Sequence, residues 1–311
     1  MLKSWIEAMR LRTLPVSLAG VIGGCGCAAY YDKFSAVPAL LCLFFALFAQ
    51  IASNFANEYF DFKNGLDKKG REGFRRGVTE GDITPQAMKV ATFITLALAC
   101  VVGCMMLFYG GWWLILIGIA VVLFALAYSA GPYPLSHHGL GDVAVVIFFG
   151  IVPVTLTCFL QMGDWSGLQT SLPVSVAIGL MAANVLVVNN YRDMDDDKAV
   201  NKRTTVVIFG RKAMSWVYFF SGILAVALLF PVWKLLPIYI GVIIRLCYYF
   251  LHGMLWQTLV KNRGAKLNPL LGKTAMLLLL RLRETTRRSY RTSRYCKLVF
   301  ILQPLTTEQA E

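Results

Sequence analysis

Asn57, Asp61 and Asp67 close the second apolar stretch of the chain, and Asn190, Asp193 and Asp197 close the sixth. Carboxylates are costly beside hydrocarbon, so an acidic cluster that recurs at two membrane borders reads as a functional site. Hard divalent cations such as magnesium take oxygen ligands and typically bind one or two carboxylates together with substrate phosphates. Asp61, Asp67, Asp193 and Asp197 are therefore candidate metal-binding residues, with manganese suiting the same oxygen ligands. Catalysis is expected to depend most on Asp61 and Asp193, because each continues a polar stripe along a membrane helix. Lys63, Arg71, Arg75, Arg76, Arg192, Lys198, Lys202 and Arg203 lie beside or after the acids and would neutralise phosphate charge left over by the metal. Acid and base at one mouth fit a diphosphate.

The stripe requires helices. Gln50, Asn54, Asn57 and Asp61 fall at offsets 0, 4, 7 and 11, one continuous face of a helix. Asn189 or Asn190, Asp193 and Asp197 repeat the pattern at offsets of three and four. The two stripes could face one cavity, and their separation by about four spans hints at two related halves.

Composition supplies the setting. The chain is 57% hydrophobic and only 15% charged, with a mean hydropathy of +0.61. Ordinary soluble domains carry roughly 25% charged residues, so an all-α, polytopic transmembrane bundle is expected. A helix needs about 20 residues to span the bilayer, and eight apolar runs approach that length. They cover 13–31, 36–60, 88–109, 112–130, 141–161, 171–191, 213–230 and 232–256; a ninth, about 268–280, is too short.

The net charge of +13 does not imply nucleic acid, because the basic residues lie in short loops rather than along one soluble face. Lys3, Arg10 and Arg12, the loop with Lys68, Lys69 and Arg71, the loop with Lys202 and Arg211, and the segment with Lys261, Arg263 and Lys266 all share one parity. The opposite loops hold little beyond Asp32, Lys33, Asp164 and Lys234. The positive-inside rule then places the N-terminus and both acidic clusters in the cytosol.

Other residues read as structural. Seven of the eight cysteines lie in apolar stretches, without zinc-ligand spacing, and are expected as small buried hydrophobes. The adjacent His137 and His138 read as interfacial loop groups, His252 as structural, and Arg245 as a membrane charge with no evident partner. Tyr59, Phe60, Phe148 and Phe149 near the acidic borders are mostly packing, with a few able to line a lipid-tail tunnel and stabilise an allylic cation. The polar segments 62–87 and 192–212 are expected as lids over the pocket, with the turn-rich 131–142 as a third wall. From about residue 276 the apolar sequence gives way to Arg281, Arg283, Arg287, Arg288, Arg291 and Arg294. The expected division is therefore a membrane domain over 1–280 and a basic tail over 281–311.

Five ordered segments, LRTLP at 11–15, SNFANEYFDFKNGLD at 53–67, GDITPQAMK at 81–89, GPYPLSHHGLGD at 131–142 and NNYRDMDDDKAVNKRTTVV at 189–207, resemble the UbiA superfamily of intramembrane prenyltransferases, most closely its menaquinone branch. Glu58 replaces the usual first acid of the first motif, and the last acid falls six residues after Asp61. The resemblance implies a nine-helix bundle in a bacterial cytoplasmic membrane. Its central cavity would face the cytosol, with Asp61, Asp67, Asp193 and Asp197 holding magnesium ions that bridge a polyprenyl diphosphate. Asn57 and Asn190 would support that shell, and Arg12 and Asp142 would orient the aromatic acceptor, 1,4-dihydroxy-2-naphthoate. Prenylation at the carboxyl-bearing carbon with loss of carbon dioxide would give a demethylmenaquinone-like product. The resemblance also implies a complete ninth span, so the arginine-rich end suggests a frame change or truncation. An intact alternative frame encoding an apolar helix in the source DNA would support that idea. Alternatives are another acceptor within the superfamily (4-hydroxybenzoate, haem or chlorophyllide) or a cation-coupled transporter, which would need broken mid-membrane helices.

Overall fold

A computed structural model describes residues 2–11, 13–67, 69, 73–234 and 236–289, with the side chains of the last helix described through Leu278. Arg12, Arg71, Cys296 and the tail from residue 290 lie outside these residues.

The described chain is helical and contains no strand element. In order it forms α1 (Leu2–Ala8), α2 (Leu14–Tyr30), α3 (Ala36–Lys63), α4 (Gly77–Glu80), α5 (Pro85–Gly110), α6 (Leu114–Ala127) and α7 (Gly141–Val145). A π-helical turn (Val146–Ile151) joins α7 to α8 (Val152–Met162). Then follow α9 (Leu168–Ala199), α10 (Thr205–Leu228), α11 (Phe230–Trp233), α12 (Ile238–Lys261) and α13 (Asn268–Ser289). Among the described residues, five helical rods are long and apolar enough to cross a membrane: α3, α5, the continuous α7–α8 rod, α9 and α12. Two of the eight expected full spans, α2 and α6, form shorter apolar helices, and α10 is interrupted at Gly210, whose φ is 79°.

The ninth run does not end where the arginines begin, since the α13 backbone stays helical through Ser289. Its Leu270, Leu271, Thr274, Ala275 and Leu278 are buried, and α13 packs against α2 and α9.

The organising element is α9. In its most apolar stretch 72% of residues are buried, against 17% in α3 and 11% in α5, so α9 is the core helix and the others present faces to lipid. α9 contacts α2, α8, the π turn, α10 and α13. Glycine permits the tightest of these contacts. A Cβ on Gly150 would lie 2.4 Å from the Ser175 carbonyl oxygen and 2.5 Å from the Gly179 Cα; one on Gly179 would lie 2.7 Å from the Val146 carbonyl oxygen. Small residues let membrane helices meet backbone to backbone, and the π turn falls at this contact.

The segment expected as a second lid is largely helix. α9 continues past the apolar stretch to Ala199, and the main-chain NH of Lys202 donates to the Asp197 carbonyl (2.8 Å) just beyond the helix end. A side-chain bond from Arg192 back to Asn189 braces this polar extension. Arg192, Asp193 and Asp197 are therefore fixed on a rigid helix, which positions charged groups better than a loop does.

Candidate active site

The stripe on α3 turns inward. Gln50 donates to Asn54 (3.2 Å), and Asn54 donates to the Met9 carbonyl (3.0 Å), docking the N-terminal segment on α3. Asn57 donates to the Ser129 hydroxyl (3.0 Å) and accepts from Arg10 and Arg76. Arg10 holds a left-handed backbone (φ 53°), a conformation uncommon outside glycine and often found at functional sites.

Arg76 is the counter-ion of the first cluster. Its guanidinium lies 3.7 Å from Asp61 Oδ2, 3.3 Å from Asp67 Oδ2 and 4.0 Å from Glu58 Oε2. Glu58 also accepts from the Val78 main chain (3.0 Å), so it fastens the 77–80 turn. On α9, Arg192 grips Asp193 with both Nε (2.6 Å) and Nη2 (2.8 Å), donates to Asn189 and to Asn268 at the start of α13, and stacks on Phe74. Asp61 is 1% exposed and Asp193 2%.

Lys202 connects the clusters. Its Nζ lies 4.0 Å from Asp61 Oδ2 and 3.8 Å from Asp197 Oδ1, so one ammonium group lies between the acids of α3 and those of α9. The two stripes do meet.

A polar cavity of about 170 Å³ lies at this junction, walled by Arg10, Asn57, Arg76, Asn190, Asp193, Asp197 and Lys202 on one part and by Tyr128, Ser136, Asp142, Thr204 and Thr205 on another. Asp142 accepts from the Thr205 hydroxyl, while its Oδ1 and the Thr204 hydroxyl are buried without a hydrogen-bond partner. A second, apolar cavity of about 450 Å³ runs between α2, α3, α5, α6 and α8, lined by residues such as Phe45, Met106, Phe124, Phe148 and Leu156. Gln50, Ser53, Tyr128, Val145 and Phe149 wall both. A charged head and a long apolar tail could be held in adjoining chambers.

The oxygen-rich set suits a hard cation that shares its coordination with phosphate. Asp61 Oδ1 is buried and has no hydrogen-bond partner. No three acidic, histidine or cysteine groups among the described residues are gathered closely enough to hold an ion alone.

Residues 17–276 match the model of the UbiA prenyltransferase family. The chain belongs to that family. It is an integral membrane protein and an enzyme, a prenyltransferase. The 1,4-dihydroxy-2-naphthoate octaprenyltransferase of Escherichia coli (strain K12) is 37% identical over 221 residues, covering 67% of this chain and 69% of that one. The protein of the same name from Mycobacterium tuberculosis (strain ATCC 25618 / H37Rv) is 36% identical, covering 72% and 75%. A solved UbiA homolog from Archaeoglobus fulgidus bound to GPP and Mg2+ shares the fold, with a TM-score of 0.61 at 16% identity, over 91% of this chain and 99% of that one.

In this UbiA-family chain the expected residues divide. Asn57, Arg76, Asn190, Arg192, Asp193, Asp197, Lys202 and Asp142 line the polar cavity, with Asp61 and Asp67 joined to it through Arg76. Lys63 is exposed at the end of α3 and does not line the cavity. Arg75 instead pairs with Asp82 and lies 3.7 Å from Glu7, tying α1 to the loop. Arg75, followed by the Ser4 hydroxyl, holds the Asp82 carboxyl below its ordinary value.

Other site residues carry no sequence signal or a different one: Tyr128, Ser129, Thr204 and Thr205 stand out by no pattern, Arg10 reads only as a topology charge, and His137 reads as an interfacial loop group. The His137 ring nitrogen Nε2 lies 3.8 Å from Asp61 Oδ1. His138 does turn away, stacking on Tyr133 with Nδ1 2.8 Å from the Pro134 carbonyl. His252 is a core residue as expected, stacked between Tyr218 and Tyr248. Arg245 donates to the Gly241 carbonyl and lies over Trp233. The expectation that the apolar cysteines are buried fails for Cys100, Cys104 and Cys247, which sit on outward faces of α5 and α12 where lipid, rather than protein, is the apolar neighbour.

Proposed function

We propose that this enzyme transfers a polyprenyl group from a prenyl diphosphate to 1,4-dihydroxy-2-naphthoate, releasing diphosphate and carbon dioxide and forming the hydroquinone (reduced) form of demethylmenaquinone. The observation that carries the reading is the pair of adjoining cavities: a polar chamber walled by both acidic clusters, beside an apolar chamber suited to a lipid tail. The acceptor is supported by the names of the bacterial relatives, and the diphosphate and metal by the neighbour bound to GPP and Mg2+.

Asp61, Asp67, Asp193 and Asp197, backed by Asn57 and Asn190, would hold magnesium, with manganese an alternative. The bound ions supply positive charge where the diphosphate departs. Arg76, Arg192 and Lys202 add donors aimed at the same developing charge, in a site where their orientation is already set. The tail lies in the apolar chamber, its allylic carbon near Phe149 and Tyr128, two residues that wall both cavities. Asp142 Oδ1 and Thr204 Oγ1 offer hydrogen bonds to the hydroxyls of the naphthoate. The electron-rich ring attacks the allylic carbon, the carbon–oxygen bond to diphosphate breaks, and the carboxylate leaves as carbon dioxide. The bacterial relatives support a bacterial cytoplasmic membrane location, and the charge bias of the loops supports an N-terminus and site facing the cytosol.

The test is prenyl transfer by membranes containing the chain, given a long-chain prenyl diphosphate and magnesium, with 1,4-dihydroxy-2-naphthoate and 4-hydroxybenzoate compared. Product from the naphthoate alone, lost with EDTA and restored by magnesium, is expected. Product from 4-hydroxybenzoate alone would overturn the acceptor assignment, and full activity in EDTA would overturn the metal. Arg76→Gln should lower the rate by about 10- to 100-fold, because hydrogen bonds to charged groups are worth about 1.5–3 kcal/mol. Lys63→Gln, at an exposed position off the cavity, should leave it near wild type; equal losses would show that the two lysine and arginine positions are misassigned.

A further inference from the structure

We infer that His137 is a positioning residue of the acidic site, directing its Nε2 hydrogen at Asp61 Oδ1 so that the other carboxylate oxygen is presented toward the cation-binding side. The inference rests on the metal-and-diphosphate reading above.

Buried polar atoms are rarely left without hydrogen bonds, yet His137 Nε2 and Asp61 Oδ1 are both in that condition and face each other across 3.8 Å. The torsion that turns a carboxylate is broad, so a modest rotation of Asp61 closes the gap to a hydrogen bond. The two oxygens of Asp61 are already distinguished by their surroundings. Oδ2 faces Arg76 at 3.7 Å and Lys202 at 4.0 Å, the side on which positive charge gathers, and Oδ1 faces the His137 imidazole at 3.8 Å.

The backbone holds the ring in place. His137 closes the 3₁₀ turn Leu135–His137, its NH donates to the Pro134 carbonyl (3.0 Å), and its carbonyl accepts from the Arg203 NH (3.1 Å). The turn is thereby fastened to the α9–α10 connection that carries Lys202. A hydrogen bond to the second oxygen of a ligating carboxylate fixes its orientation and supports metal affinity.

The test is binding of Mn2+, an EPR-visible ion that accepts the same oxygen ligands, to the purified full chain with a non-reacting prenyl thiolodiphosphate present. His137→Phe should weaken Mn2+ binding about 10-fold or more, as loss of an outer-shell partner typically does. His137→Gln, which keeps an N–H donor, should stay close to wild type, and so should His138→Phe. Should the phenylalanine variant not fold, His137→Ala read against His137→Gln makes the same comparison. Wild-type affinity in His137→Phe, or equal losses in His137→Phe and His137→Gln, would overturn the inference. No Mn2+ binding by the wild-type chain would overturn the metal-and-diphosphate reading and this inference with it. The acceptor is absent from the assay, so a wrong naphthoate assignment leaves the result intact.

Discussion

Asp61→Asn and Asp193→Asn should each lower prenyl transfer by about 10²- to 10³-fold, the loss that follows when a preorganised charge is removed from the place where leaving-group charge develops. The asparagines keep the shape and remove the charge. At Asp61 the change releases Arg76 and Lys202 from the acid they share, and at Asp193 it breaks a two-point grip by a buried guanidinium. The measurement is lipid-quinone product from membranes with matched expression, alongside Asp195→Asn as the control. Asp195 lies on the same helix, but its side chain is 80% exposed and pairs outward with Arg211, so that variant should remain near wild type. If either inner variant keeps more than about a tenth of the activity, the loss of preorganised charge is too small for a site built from both clusters.

Gly150→Val should be the most damaging single change to the fold. A Cβ at Gly150 meets the α9 backbone at 2.4–2.5 Å, and backbone cannot move aside as a side-chain tip can. Overpacking of cores costs about 1–3 kcal/mol and occasionally more; a forced separation of α9 from the π turn belongs at the upper end. At roughly 2–4 °C per kcal/mol for a chain of this size class, the midpoint of thermal unfolding in detergent should fall by about 5–10 °C. Gly26→Ala is the comparison, since nothing lies within 4 Å of its Cβ position, and its midpoint should hold. Equal midpoints for the two variants would show that the Gly150–Gly179 approach does not support the bundle.

Much of the site was legible because membrane helices impose a strict period on costly residues. Gln50, Asn54, Asn57 and Asp61 lie on one face for the same reason that any residues at those offsets do, and hydrocarbon leaves polar groups there only one useful direction, inward. The cysteines show the limit of that reasoning: apolar sequence does not distinguish a face against protein from a face against lipid, and Cys100 and Cys104 lie on the second kind. Segment 192–199 shows another. Its charge suggests a loop, but α9 carries the acids onward as helix, with one partner, Arg192, on the same helix and another, Lys202, just beyond its end.

The sequence by itself determined that the protein is a helical membrane protein with two acidic clusters flanked by bases, because hydrophobic length, loop charge and helical offset are local properties of the chain. Only the tertiary structure decided which residues meet. It set Lys202 between Asp61 and Asp197, aimed His137 rather than His138 at Asp61, brought Arg10 onto Asn57, and drew Arg75 away to Asp82. Lys202–Asp197 and Arg75–Asp82 are close in sequence, but Lys202–Asp61, His137–Asp61 and Arg10–Asn57 join segments tens of residues apart or more, so they follow from how α3, α9 and their connecting turns pack, and no local pattern encodes them.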